Sequence, residues 1–497
     1  MSQPETVFIG QCDEDYAYYS IGVSDLKILK TISARFSILH PQRFNMQTFK
    51  DGVWDGRVNF LKNNRLLKGL IWILIDFCRE NKIKIVNDIP LLQKTDEIQL
   101  EKWIKTNIKL VNTPHDFQLQ CVLDMVKYMS ISAFSVTGSG KSFIIYIFSM
   151  MMLRKNIKTI IIVPNLNLLY QMYADLMEAS CNELKPYVQM MSSKQKEKDF
   201  VSPIVLITWQ SGSKKKMKDL KQFGCVIGDE MHLSSATKYQ TLVRNINSKY
   251  KLGLTGTEPP DTDPNYYTVV GNFGKPIVYS SYKDLQDRKI ISEFNIYVKI
   301  LQYTEEEKID FWNNYVDYRE EYYYLSKVIK RNEYISSITD EMDGNTLIIT
   351  TFIQNEASNI KDFFINKYGD TRPIYYIDGG VKAVDRERIR KELNNFNNAI
   401  LIASVATLAV GVNIKNLKNL IIPTSIATDA RLRQVIGRIL RLKQDGNQAR
   451  VFDIVDNMCY RMEGEVRRVN TSAKQYMKRL KIYKKFNFTV IEEKVTI

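Results

Sequence analysis

Thr137-Gly138-Ser139-Gly140-Lys141-Ser142 is a run of residue types suited to holding phosphate. Glycines let the chain curl until successive N–H groups face an anion, and a helix beginning there adds its positive end. Lys141 can bridge the β- and γ-phosphates of a nucleotide, and the Ser142 hydroxyl can hold Mg²⁺. The pattern G-x-x-x-x-G-K-[ST] has Ser135 where its first glycine would stand. A glycine-rich turn carrying a surface lysine stays open on these residues alone. Asp229-Glu230-Met231-His232 lies 88 residues past Lys141, directly after the apolar run Cys225–Gly228. Carboxylates there stand at the end of a buried strand, the edge at which α/β sheets bind ligands. Asp229 suits the metal, and Glu230 suits the base that activates a water. In Arg431–Arg441, a helix would place Gln434, Arg438 and Arg441 on one face, four and three residues apart. Such arginines can neutralise charge on a transferring phosphate, and a solvated basic face is an equal alternative.

These groups need a rigid frame. From about residue 113, short β-branched runs alternate with helix-length stretches: Ile131–Val136, Thr159–Val163, Ile204–Thr208 and Cys225–Gly228. The rhythm restarts near 345 with Thr346–Thr350, Ile374–Ile377, Ile400–Ala403, Leu420–Ile422 and Val451–Val455. Continuous apolar runs of this length predict parallel strands covered on both faces, hence two successive α/β units. Residues 1–112 differ: strand-like Val7–Gly10 and Val58–Leu61 precede an apolar, helix-like Leu66–Cys78. The expected divisions are a small α+β domain at 1–112, a first lobe at 113–290, a helical connector at 291–340, and a second lobe at 341–497. The last ends in a basic tail, with a helix over Lys474–Lys485 and a strand over Phe488–Ile491.

The 497 residues carry 70 Lys+Arg against 55 Asp+Glu, a net +15, with 44% hydrophobic residues. Composition excludes a disordered or collagen-like chain, and the charge favours a polyanionic partner. The longest nearly apolar run, Phe143–Leu153, has 11 residues, short of the roughly 20 that span a bilayer. The six cysteines are scattered without a CxxC pair, which predicts free thiols, no structural zinc and a cytoplasmic setting. The acidic N-terminal residues predict no secretory or mitochondrial leader.

Taken in order, these segments resemble the motifs of superfamily 2 DExH helicases over about 113–457. Phe117-Gln118 is similar to the adenine-reading Q-motif, and Ser135–Ser142 to motif I. Ile160–Pro164, running on to Gln171, is similar to motif Ia, and Thr208-Trp209-Gln210-Ser211 to motif Ib. Asp229–His232 resembles motif II, Leu254-Thr255-Gly256-Thr257 motif III, and Gln434–Arg441 motif VI. Ser404 and Gly411-Val412-Asn413 fall at motif V, with Asn413 where many relatives have Asp. Outside the motor, Phe49–Val58, Asn64–Leu67, Phe77-Cys78, Arg331-Asn332 and Asn416-Leu417 resemble the phage T4-type UvsW recombination helicases.

The resemblance implies two tandem RecA-like lobes with ATP in the cleft between them. It implies ATP and Mg²⁺ as cofactors, with Gln118, Thr137–Ser142, Gly411 and Asn413 around the nucleotide. Lys141, Asp229, Glu230, Gln434, Arg438 and Arg441 would be catalytic, and His232 with Thr255, Gly256 and Thr257 would couple hydrolysis to movement. Pro164, Thr208, Trp209, Gln210 and Ser404 would meet nucleic acid. It further implies action on branched DNA: fork regression, Holliday-junction migration, and R-loop and D-loop unwinding. The expected partners are single-stranded and branched DNA and the RNA of RNA–DNA hybrids, with no membrane. The chain is expected to be a monomer or weak oligomer in a bacterial host's cytoplasm. For Trp54 and Arg57, stacking at a DNA junction competes with a core tryptophan beside a hairpin turn. A motor acting mainly on RNA and a non-enzymatic ATP-gated clamp remain as alternatives.

Overall fold

The computed structural model describes residues 5–12, 17–192, 199–233, 236–291, 294–314, 317–351, 356–405, 417–423, 426, 432, 435–437, 449–461 and 468–497. The chain packs as two compact units, Met1–Val136 with Gly140–Ser280, and Thr137–Ser139 with Ser281–Ile497.

The first unit begins with β1 (Thr6–Gln11), β2 (Tyr18–Val23), β3 (Ser37–Leu39), β4 (Arg57–Asn59), β5 (Leu61–Lys62), β6 (Arg65–Leu67) and β7 (Lys84–Asn87). Five of them form a sheet ordered β5-β6-β2-β1-β7, in which only β7 runs parallel to its neighbour. β3 and β4 pair apart as a short ribbon. Asn63 and Asn64 both have positive φ (49° and 58°), as a two-residue hairpin between β5 and β6 requires. The expected strand Val58–Leu61 is therefore split between β4 and β5. The expected helix Leu66–Cys78 is also shorter. Leu66 and Leu67 belong to β6, Lys68–Leu70 make a 3-10 turn, and the helix runs Ile71–Glu80. The turn lies close against its neighbour: a Cβ on Gly69 would collide with the carbonyl of Val270.

That contact joins the small domain to the rest of the first unit. Tyr267 and Val270, from the helix Pro264–Phe273, lie in the same core as Val7, Ile21, Ile32 and Leu74. Phe60 stacks on Tyr267 at 5.2 Å, and Arg35 donates to the Tyr267 hydroxyl. Gly69→Val should overpack this seam and cost about 1–3 kcal/mol in urea unfolding. An unchanged midpoint would show the seam to be loose.

The first parallel sheet comprises β8 (Ser130–Ser135), β9 (Thr159–Val163), β10 (Val188–Met191), β11 (Ile204–Thr208), β12 (Cys225–Gly228), β13 (Tyr250–Thr255) and β14 (Lys275–Ser280). Their order is β10-β11-β9-β12-β13-β8-β14. Every residue of β9, β11 and β12 is buried, as strands covered on both faces must be. Helices Asp116–Tyr128, Lys141–Arg154 and Leu166–Ala179 supply one apolar layer, and Thr237–Asn245 and Pro264–Phe273 the other. This order sets β13 between β12 and β8, which brings the chain just past those three strands to one edge.

The second unit holds β15 (Phe294–Gln302), β16 (Asn345–Thr350), β17 (Ile374–Ile377), β18 (Ile400–Ser404), β19 (Leu417–Ile422), β20 (Ala449–Asn457) and β21 (Thr489–Thr496), ordered β17-β18-β16-β19-β20-β15-β21. All of its pairings are parallel among the described residues. The fold is thus two tandem RecA-like domains preceded by a small α+β domain.

One expectation needs correcting here. Residues 294–302, placed in the connector, are β15, seated between β20 and β21. The basic tail holds the expected helix, Thr471–Lys485, and its strand is β21, paired with β15. Arg479, on the helix Thr471–Lys485, is 1% exposed and makes two 2.8 Å hydrogen bonds to Asp453. Tyr483 donates to the same carboxylate at 2.8 Å. Glu321 accepts the N–H groups of Thr471 (2.7 Å) and Ser472 (2.8 Å), capping that helix from a segment read as connector. Arg479 is therefore structural. Arg331 is likewise 1% exposed and bidentate to the fully buried Asp456, at 2.8 and 3.1 Å.

Candidate nucleotide site and motor edge

The phosphate loop leaves β8 and enters the helix Lys141–Arg154. Gly138 and Gly140 have φ of +92° and +78°, a region where a side chain is strained. A Cβ on Gly140 would also strike the amide of Gln118. Gln118 is 4% exposed, and its Oε1 accepts the His115 N–H at 3.0 Å, which fixes its direction against the loop. Lys141 Nζ donates to the carbonyls of Ser135 (3.1 Å) and Val136 (3.4 Å). Ser135, which replaces the pattern's first glycine, is buried and bonded to the Ser280 hydroxyl at 2.7 Å. The sheet absorbs that side chain, so the departure leaves the loop intact.

Asp229 follows β12, and its N–H donates to Ile162 O at 3.0 Å. It is 7% exposed. Burial, then the neighbouring Glu230 charge, push its carboxyl up to about 7, with Asp175 adding to the rise and Lys141 opposing it. Ser142 donates to Asp175 at 2.8 Å. Crowded acids beside a hydroxyl form an oxygen donor set of the kind Mg²⁺ takes, and a divalent cation would relieve their repulsion. Ser142 and Asp229 fit that ion.

Glu230 has φ +50°, an uncommon backbone for a non-glycine residue. His232 Nδ1 lies 3.3 Å from Glu230 Oε2 and 2.7 Å from Thr255 Oγ1. Thr255 Oγ1 donates to Thr257 O (3.3 Å) and accepts from Thr257 N (3.0 Å). Which of Nδ1 and Thr255 Oγ1 donates depends on the His232 tautomer. Glu230, His232, Thr255 and Thr257 thus form one chain of hydrogen-bonding groups, with Gly256 in its turn. Glycine precedes both ends of it: a Cβ on Gly228 or Gly253 would collide with the Phe273 ring.

At the carboxyl ends of the adjacent strands β9 and β11, Gln210 Nε2 donates to Pro164 O at 3.1 Å. Thr208 is 6% exposed and donates to Ser211 at 3.0 Å, so its hydroxyl is used within the turn. Trp209 is half-buried beside it, and Gln210 is exposed. Ser404 is buried at the end of β18. Trp54 donates to Arg57 O (2.8 Å) and Arg57 to Ser37 O (2.8 Å), tying both to the β3–β4 ribbon. The Trp54 ring stands edge-on to His40 and Phe49 and is half-buried. Gly411, Asn413, Gln434, Arg438 and Arg441 lie outside the described residues.

Residues 115–260 match the family described as type III restriction enzyme, res subunit, and residues 328–443 match the helicase conserved C-terminal domain. Each match falls on one parallel sheet, in helicase order. The chain carries an ATP-dependent superfamily 2 helicase motor. The helicase is 27% identical over 433 residues to the ATP-dependent DNA helicase UvsW of enterobacteria phage T4, covering 84% of each chain. That is more than residues 113–457 alone could supply. It is 24% identical over 268 residues to a putative ATP-dependent RNA helicase of Acanthamoeba polyphaga mimivirus, covering 52% of this chain and 48% of the relative. A fragment of a putative HsdR subunit of a type I restriction enzyme from Vibrio vulnificus superposes with TM-score 0.57 at 13% identity, over 85% of this chain and 73% of the other. That likeness concerns the fold alone.

Asp175 had no motif to announce it. It lies in the middle of the helix Leu166–Ala179, and only the packing of that helix beside Ser142 shows its place.

Proposed function

We propose that this helicase works on DNA, and on branched DNA in particular: regressing forks, migrating Holliday junctions, and unwinding R-loops and D-loops in recombination, repair and replication. The Lys141–Asp229–Glu230–His232–Thr255 constellation at one sheet edge supports the motor. The breadth of the likeness to the T4 DNA helicase supports the substrate. In this reading residues 1–112 are an accessory DNA-binding domain, 113–290 the ATP-binding lobe, and the second lobe starts at β15.

Lys141 and the loop N–H groups hold the phosphates, and Gln118 orients the base. Glu230 takes the proton of the attacking water, while Gln434, Arg438 and Arg441 balance charge on the γ-phosphate. Gly411 and Asn413 belong to the nucleotide site of the same scheme. Ser142 and Asp229 would hold Mg²⁺, which would supply Lewis-acid charge to the phosphates when bound. His232 reports the state of Glu230 to Thr255. Pro164, Trp209, Gln210, Thr208 and Ser404 line the strand path, and the Trp54–Arg57 ribbon meets the junction.

His232→Ala should keep nucleotide affinity but lower nucleic-acid-stimulated hydrolysis by about tenfold, the scale of one hydrogen bond to a charged group. Stimulation at the wild-type level would remove the coupling role. A motor acting mainly on RNA is the second reading, favoured by the mimivirus relative's name. Comparing ATP turnover with single-stranded DNA, forks, Holliday junctions and RNA separates the two. Branched DNA should stimulate most, and stimulation by RNA alone would overturn the DNA assignment.

A further inference from the structure

A cavity of about 380 Å³ opens at the far edge of the first parallel sheet, where the small N-terminal sheet docks. Ser130, which begins β8, and Lys251, near the start of β13, mark that edge as the one opposite the phosphate loop. The volume is that of a small-molecule site.

Its charge is one-sided. Lys68, Arg244, Lys249 and Lys251 line it, and among the described residues no aspartate or glutamate does. Arg244 bonds only neutral acceptors among the described residues: Asn272 Oδ1 (3.0 Å), Gln240 Oε1 (3.0 Å) and Tyr18 Oη (3.5 Å). A half-buried guanidinium without a carboxylate is an expensive arrangement unless an anion completes it.

Two orphaned groups stand in the same wall. Asn272 is 3% exposed, and its Oδ1 is taken by Arg244, which fixes the amide orientation. Its Nδ2 donor has no partner among the described residues. Ser248 Oγ is likewise buried without one. Buried donors of this kind are rare unless a ligand or water meets them. Tyr19, Trp72 and Tyr128 add aromatic surface, with Trp72 edge-on to Tyr128 at 5.2 Å.

We propose that this cavity binds a nucleoside 5′-monophosphate unit, at a site separate from the motor's nucleotide. Arg244 and the lysines would meet the phosphate, for which clustered cationic donors are suited. The aromatic wall would take the base, since every base offers a face for stacking. Neither contact uses a residue of the motor motifs. The unit can be a free nucleotide or the 5′ end of a strand, since both present the same groups.

Calorimetric titration of the full chain with uridine 5′-monophosphate tests this. Binding should persist in Lys141→Ala, which disables the motor's phosphate loop, and should be absent for uridine. Arg244→Met and the exposed-site variant Lys249→Glu should each weaken it by about tenfold, while ATP turnover stays at the wild-type rate. Lys249→Glu keeps the test decisive if Arg244→Met fails to fold. A preference for 5′-phosphorylated over 5′-hydroxyl oligothymidylate, erased by Lys249→Glu, assigns the strand end. Equal binding of the two oligonucleotides alongside uridine monophosphate binding assigns the free nucleotide. No binding at millimolar uridine monophosphate, equal binding of uridine, or loss of binding in Lys141→Ala would overturn the proposal.

Discussion

Glu230→Gln should bind ATP as the wild type does and hydrolyse it about 10²–10⁴-fold more slowly. The amide keeps the size and hydrogen-bonding outline of the carboxylate but cannot accept the water's proton. The backbone at φ +50° strains either residue alike, so the fold should be unaffected. The His232 ring would still face an oxygen near 3.3 Å. Single-turnover hydrolysis beside equilibrium nucleotide binding separates the two steps. Hydrolysis at the wild-type rate would remove the base from the scheme and revive an ATP-gated clamp.

The largest loss of stability is expected far from that chemistry. Asp456→Ala should cost about 3–5 kcal/mol in urea unfolding, because it leaves the Arg331 charge buried and unpaired. The same carboxylate accepts the Tyr303 hydroxyl at 2.6 Å, so a second buried group loses its partner. Burial and the Asp456 charge already hold the Tyr303 phenol well above its ordinary range. Removing both charges, as Arg331→Met with Asp456→Leu, should recover most of the loss, since desolvation offsets much of a buried pair's attraction. A single variant as stable as the wild type would show that the pair contributes nothing to this unit.

The strands of both large sheets were legible because they are buried on both faces, and unbroken apolar runs such as Thr159–Val163 have few other uses in a globular chain. β15 escaped notice because FNIYVKILQ alternates buried and half-buried positions, and its place in the sheet depends on β20 and β21, far along the chain. The role of Arg479 in the basic tail was hidden for a related reason. Charge in sequence cannot say that Arg479 faces Asp453 rather than solvent. Within the candidate site, Lys141, Ser142, Asp229 and Glu230 were readable because local chain geometry places them. Asp175, and the need for glycine at 69, 228 and 253, depend on which helix lies across which strand. The second cavity is of the same kind, since Lys68 joins Arg244 and Asn272 in its lining only where the small sheet docks.

The most direct test of an ATP-driven motor on branched DNA is migration of a synthetic Holliday junction by the purified chain, beside its Lys141→Ala variant. The account predicts that the wild type moves the junction only when ATP is supplied and that the variant leaves it in place while still binding it at low salt. Movement by the variant at the wild-type rate, or a wild type whose ATP turnover no DNA stimulates, would contradict it.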